Sequence, residues 1–349
     1  MNTMLIRVLL AGVTLAAMPR PIVADEVAPV RLVPEWELNG PIVLVWPEHL
    51  RGHSRDLPLF TDLIRALPDE REVAVISPQP PSIRALQQAG RDIRYLPISR
   101  VRDVHVRDWA GLPAVDAEGR LFAAKFRYQP SHLKGRDVAR AYDNNNAGKE
   151  LGEALYGTVK NIPLTLSGSA ITHNGKGAAI VSQRVIGENE QLSIPAIRDV
   201  LREHAGLTRT VFVPVRPGDH EGHLNGLIRF ASENTVLITQ YGEDNADLAA
   251  FADRLADHVR RELGRGFRVV RIPHLSSVAD LPQGAGSYID YIALNEYVLV
   301  PVYGRPEDED ALKILSKALP DRTIVPIQTE TTRALAQEGF APARISTVY

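Results

Sequence analysis

The sequence predicts an α/β fold, and three observations carry that expectation. Ten short apolar runs, mostly rich in Val and Ile and bounded by Pro, Gly or charge, read as strands. Amphipathic stretches with apolar residues three or four apart lie between them and read as helices. No Pro/Ser/Gly-rich linker or block of charge divides the chain after residue 24, so residues 25–349 are expected to form one domain.

In chain order, Pro41–Trp46 is an apolar run closed by Pro47 and predicts the first strand. A helix follows over Pro58–Ala66, then strands over Glu72–Ile76 and Ile93–Pro97. The segment Lys125–Lys149, with scattered charge and the run Asn144-Asn145-Asn146, predicts a long exposed loop. Further strands are expected at Ala179–Val181, Thr210–Pro214, Leu227–Ala231 and Thr235–Thr239, with a helix over Ser193–His204. The clearest helix is Asp244–Leu263, where Leu248, Phe251, Leu255, Val259 and Leu263 line one face. Strands at Phe267–Ile272, Tyr297–Tyr303 and Thr323–Ile327 and helices at Asp308–Leu319 and Thr331–Glu338 complete the pattern. Periodicity alone does not separate an open, doubly wound sheet from a closed arrangement.

Residues 1–24 read as a secretory signal, with Arg7 ahead of the apolar run Val8–Ala17 and Ile22-Val23-Ala24 as the cleavage site. That run is about half the ~20 residues a spanning helix needs, and Pro19 and Pro21 break it. Cleavage after Ala24 and a secreted or periplasmic location are therefore expected. Removing Arg7 and Arg20 leaves 38 of the 40 basic residues against 42 acidic ones, with the signs dispersed. Such a charge balance gives no basic stripe for nucleic acid and no Lys/Arg-rich amphipathic stretch to hold the processed chain on a membrane. There is no cysteine, and the three methionines (Met1, Met4, Met18) all precede residue 24. Thiol catalysis and thiolate metal ligation are excluded.

Four segments stand out as motifs: PEWELNGPIVLVWP at 34–47, VRDWAG at 106–111, DHEGHLNGLIRF at 219–230 and SYIDYIALNEYVLVPVYG at 287–304. In order and spacing they resemble the agmatine deiminase and bacterial peptidylarginine deiminase family. The resemblance implies a pentein fold, a five-bladed β/α propeller of ββαβ units around a central channel. It also implies chemistry on a guanidinium, which carboxylates hold through paired N–H bonds, a histidine serves with protons and a cysteine thiolate attacks. No cofactor or metal is implied. Asp219, His220, Glu221 and His223 could suggest a metal, but strand alternation would turn His220 and His223 to opposite faces.

The resemblance places Asp108 as the guanidinium-holding carboxylate, with Trp109 beside it, and His223 as the proton carrier. The family's second carboxylate falls at Asn225, which period-2 spacing would put on the same strand face as His223. Its Glu-Gly-Gly element falls at Ser167-Gly168-Ser169, so Ser167 is neutral where a third carboxylate is expected. The thiol position falls nearest Arg344, with Ser346 two residues on as an alternative nucleophile. A thiol and two acids are thus gone. The expectation is a family member that no longer deiminates and keeps a pocket for a guanidino compound, an arginine-containing peptide or a partner. In that reading Arg344 pairs with Asp108 as a built-in ligand. The alternative is an active hydrolase of amidine or related C–N bonds, using Ser346 or a water activated by His223. A third possibility keeps the fold only as a scaffold, with a protein partner meeting the loop at residues 125–149.

Overall fold

A computed structural model describes residues 30–275, 286–327 and 346–348. The proposed signal, the helix expected at Thr331–Glu338 and Arg344 lie outside the described residues.

The chain enters through β1 (Arg31–Leu32) and β2 (Ile42–Val45), followed by α1 (Leu57–Ala66), β3 (Val73–Ile76), α2 (Ile83–Ala89) and β4 (Arg94–Leu96). Next come α3 (Val106–Trp109), β5 (Leu112–Val115), β6 (Leu121–Arg127), α4 (Arg136–Tyr156) and β7 (Val159–Thr165). The middle comprises β8 (Ile171–His173), β9 (Ala178–Ser182), α5 (Arg184–Glu188), α6 (Ile194–Ala205) and β10 (Arg209–Val213). Then follow β11 (Ile228–Phe230), β12 (Thr235–Gln240), α7 (Ala246–Leu263) and β13 (Arg268–Pro273). The last elements are β14 (Ile292–Ala293), β15 (Tyr297–Pro301), α8 (Glu307–Ala318), β16 (Thr323–Ile327) and β17 (Ser346–Val348).

These strands form five separate sheets: β1-β5-β6-β7, β10-β9-β8, β11-β12-β13, β14-β15-β16 and β17-β2-β3-β4. Every sheet repeats one pattern, an antiparallel pair followed across a helix by a parallel strand. Thus β8 runs antiparallel to β9, and β10 returns after α6 parallel to it. The pairs β11/β12 and β12/β13 repeat this around α7, and β14/β15 and β15/β16 repeat it around α8. In the sheet containing β2, the antiparallel partner is β17, from the far end of the sequence. A repeat invisible at the level of residue identity is therefore plain in the pairing. Helices cover the sheets with amphipathic faces: α7 buries Phe251, Leu255, Val259 and Leu263 against β10, β12 and β13. Each such side chain contributes about 1.5–3 kcal/mol by leaving water.

All ten expected strands are present, with bounds shifted by one or two residues. The segment 125–149 corrects the loop expectation, since its first residues end β6 and residues 136–149 lie in α4. The packed face of α4 is Ala141, Asn144, Ala147, Gly148, Leu151 and Gly152, a stripe of small residues instead of large apolar ones. Small size is needed there, because a Cβ at Gly148 would stand 2.0 Å from the Trp109 carbonyl oxygen. The asparagines also bond inward. Asn144 Oδ1 accepts the Arg102 N–H at 2.7 Å, and Asn145 Oδ1 accepts Lys125 Nζ at 2.9 Å and the Tyr128 N–H at 2.8 Å.

Candidate active site

Asp108 sits in α3, a single turn positioned by the residues before it. Asp103 accepts the His105 N–H at 3.0 Å and the Trp109 indole N–H at 3.0 Å, and the Asn144 amide bonds its other oxygen. Trp109 is fully buried and lines neither cavity described below, so its ring supports α3 from the core. Asp108 itself is 2% exposed.

Ser167, Gly168 and Ser169 pack directly against α3. The Ser169 hydroxyl, 1% exposed, donates to Asp108 Oδ1. This places an alcohol on the carboxylate that the resemblance assigns to a guanidinium. Asn225 Nδ2 lies 3.4 Å from the same hydroxyl, which links Asp108, Ser169 and Asn225 in one buried chain.

His223 and Asn225 lie in the loop before β11, so the strand alternation expected for them does not apply. Asp219 shapes this loop by accepting the Glu221 N–H at 2.8 Å and the Gly222 N–H at 3.0 Å. Gly222 takes φ 71°, and a Cβ there would meet the Arg184 Cβ at 2.7 Å. The Leu224 N–H then donates to the Ser169 carbonyl at 2.8 Å, docking the loop on the Ser167–Ala170 segment. His223 and Asn225 consequently face different spaces. His223 lines a cavity of about 480 Å³ with Ser167, Glu221, Arg184 and Glu188, whereas Asn225 lines another of about 720 Å³ with Glu35, Arg107 and Arg229.

In the first cavity His223 Nδ1 lies 3.0 Å from Glu221 Oε2, while its Nε2 lies 3.5 Å from Ser167 Oγ and 3.8 Å from Asp108 Oδ1. The His223 side chain is 12% exposed and that of Glu221 42%. Arg184 Nε donates to Glu188 at 2.9 Å, and its Nη2 lies 3.4 Å from His132 Nδ1. Burial, helped by Arg184, holds His132 below the usual histidine range. Among the carboxylates and guanidinium lining the cavity, Glu221 and Glu188 outnumber Arg184, and Asp108 is buried behind them. Such an interior favours a cation.

The second cavity is built around Glu35. Its carboxylate pairs with Arg107 through one oxygen and with Arg229 Nη2 at 2.8 Å through the other. Arg229 donates to the Ile289 carbonyl at 3.1 Å and the Tyr291 carbonyl at 2.7 Å, and its guanidinium stacks 3.9 Å above the Tyr291 ring. Burial and the nearby arginines push His173 down to about 4, so it lines this space as a neutral ring. Among the described residues no three His, Asp or Glu groups converge as a metal site would require.

Ser346 is buried on β17 opposite Leu44. Its neighbour Thr347 lines the larger cavity, and alternation turns Ser346 to the other face of the strand.

Ser169, Glu221, Asp103 and Glu35 are the residues that sequence reasoning passed over. Ser169 carried a signal, being a hydroxyl where the resemblance expects glycine. Glu35 carried one as well, as the only acid to precede Trp36 in a motif already singled out.

Solved structures share this fold. The agmatine deiminase of C. jejuni superposes with a TM-score of 0.76 over 92% of this chain and 96% of its own, at 19% identity. The agmatine deiminase of Enterococcus faecalis does so with a TM-score of 0.72 over 91% and 95%, at 17% identity. An amidinotransferase of Microseira wollei follows at 0.53 and 11% identity. The model of the Porphyromonas-type peptidyl-arginine deiminase family matches residues 31–339, and this chain belongs to that family.

Proposed function

We propose that this protein is a secreted or periplasmic member of its family that binds a guanidinium or amidine cation and has lost thiol-dependent deimination. The carrying observation is the pairing of a cysteine-free sequence with an acidic cavity lined by Glu221, Glu188 and His223, behind which Asp108 is buried 3.8 Å from His223 Nε2. Without a thiolate the covalent step of a deiminase has no nucleophile. A buried carboxylate beside a net-negative cavity still supplies the charge-assisted acceptors a guanidinium needs. The position of Ser346 gives the alternative of an attacking alcohol from that residue no support. We also infer that the five sheets are blades around a shared channel, because all repeat one pairing pattern and the chain end joins the sheet of β2.

Calorimetric titration with agmatine and with an arginine-containing peptide, run beside an ammonia assay, tests the reading. Binding is expected without turnover, weakened about tenfold or more in Glu188→Gln, as loss of a charged hydrogen bond from the cavity wall implies. Ammonia release above a His223→Ala control would overturn the loss of deimination. Absence of binding by the parent protein would overturn the pocket.

A further inference from the structure

We propose that Ser167, His223 and Glu221 form a serine-nucleophile relay that hydrolyses small carboxylic esters in the 480 Å³ cavity. All three side chains line that cavity. The proposal rests on the order in which three polar groups stand along one wall of the cavity, not on guanidinium binding. Glu221 Oε2 lies 3.0 Å from His223 Nδ1, and a carboxylate only accepts, so the proton is placed on Nδ1. Nε2 then carries the lone pair, and it is this nitrogen that lies 3.5 Å from Ser167 Oγ. On its other side Ser167 Oγ accepts the Ser169 N–H at 3.3 Å, which leaves the hydroxyl proton for Nε2. Nucleophile, base and orienting carboxylate stand in the order that alcohol activation requires. Distances of this kind commonly tighten once substrate is bound.

The step balances within these groups. Ser167 Oγ bonds to the acyl carbon while its proton passes to His223 Nε2. The C–O bond to the leaving alcohol then breaks as the alcohol takes that proton, leaving an acyl ester on Ser167. Water, deprotonated by the same nitrogen, attacks the ester and releases the acid, and the proton returns to Ser167 Oγ. The imidazolium formed between these steps stands between Glu221 at 3.0 Å and Asp108 Oδ1 at 3.8 Å, so both carboxylates stabilise it. The neutral Ser167, standing where the family resemblance expects a carboxylate, has thereby become the group that reacts. The acidic surroundings make neutral and cationic esters the preferred class over anionic ones.

The test uses the full chain, a fluorophosphonate probe and p-nitrophenyl acetate. The expected results are a covalent phosphonate adduct mapped to Ser167 by peptide mass spectrometry and a burst of p-nitrophenol, both lost in Ser167→Ala and His223→Asn. Glu221→Gln should slow labelling by about tenfold or more, because it frees the tautomer that Glu221 fixes. Ser167→Cys provides a second measurement that does not depend on Ser167→Ala folding, since the parent has no cysteine and the new thiol is the only one present. Its alkylation by iodoacetamide near neutral pH should run at least ~10-fold faster than in the Ser167→Cys/His223→Asn double variant, as base activation of a thiol implies. No adduct on Ser167, an adduct on another serine that persists in Ser167→Ala, or equal alkylation rates in the two thiol variants would each overturn the proposal. Agmatine titration of the parent protein reads out the binding proposal separately, so the two can fail independently.

Discussion

Replacing Gly168 by Ala tests how the site is held together. Gly168 is not in the left-handed backbone region, so alanine is not excluded by its dihedrals. Its Cβ would nevertheless stand 2.1 Å from the Arg107 carbonyl oxygen, whereas real Cβ contacts essentially never fall under 3.0 Å. The Ser167–Ser169 segment and α3 must therefore separate by roughly 0.9 Å, the difference between those two distances. Overpacking of this kind costs about 1–3 kcal/mol. The same movement pulls the Ser169 hydroxyl from a buried carboxylate, a charged hydrogen bond of about 1.5–3 kcal/mol. Both arise from one displacement and partly relieve each other, so a total near 3–5 kcal/mol is expected. At a urea slope of about 2–3 kcal/mol/M this lowers the midpoint by about 1–2 M. Gly187→Ala is the control: it lies in α5 with nothing within 4 Å of its built Cβ, and should be neutral or stabilising by up to about 1 kcal/mol. Urea unfolding followed by tryptophan fluorescence measures both. Should Gly168→Ala lose less than about 1 kcal/mol, the direct packing of the serine segment on α3 is refuted.

Two further outcomes follow, one from burial and one from the proposed secretory signal. Lys125 is buried, and desolvation pushes its amine down to about 7 from an ordinary 10.5. The unfolded chain thus binds the extra proton between about pH 7 and 10.5, so this residue makes stability rise with pH across that window. At about 1.4 kcal/mol per unit, less what the Phe126 and Asn145 oxygens return, Lys125→Met should stabilise the protein by a few kcal/mol at pH 6. The gain should fade by pH 10, and thermal melts at the two values check it. Intact mass of native protein should begin at Asp25, and retention of Met1 would overturn export.

What the sequence revealed and what it hid have physical reasons. Strands such as Val73–Ile76 and Thr235–Gln240 are buried on both faces, so their runs of Val and Ile are unbroken and their bounds legible. The sheet around β5 and β6 escaped notice because Ala114, Ala123, Ala124 and the buried Lys125 stand where large apolar residues would have marked it. Helix α4 was hidden for the same reason, its close approach to Trp109 and β6 demanding Gly and Ala. The site was legible in Asp108, His223 and Ser167, which come within 3.8 Å of one another through the ring of His223. Glu221 was not legible as a partner of His223. It was weighed only as one of four possible metal ligands, although strand alternation would also put residues 221 and 223 on one face; what the loop changes is Asn225, which lines a different cavity from His223.

The four segments that carry the family resemblance meet at one place, and it is not His223. Glu35 comes from the first, Arg107 from the second, Arg229 from the third and the carbonyls of Ile289 and Tyr291 from the fourth. Two arginines share one carboxylate, and one of them is stacked on Tyr291 and bonded to two carbonyls, so removal of Glu35 would leave paired cations uncompensated in a half-buried space. Breaking a buried ion pair in this way costs about 3–5 kcal/mol, although forming it contributes far less. That asymmetry gives the motif strings a structural role of their own. A change of a residue facing the His223 cavity leaves this knot untouched, whereas a change at Glu35, Arg107 or Arg229 loosens the 35–37 turn, α3 and β11 together. Resemblance in these segments therefore reports the framework that presents Asp108 and His223. The residues that differ stand apart from it: Ser167 lines the His223 cavity, Ser169 bonds the buried Asp108, and Asn225 faces the second cavity.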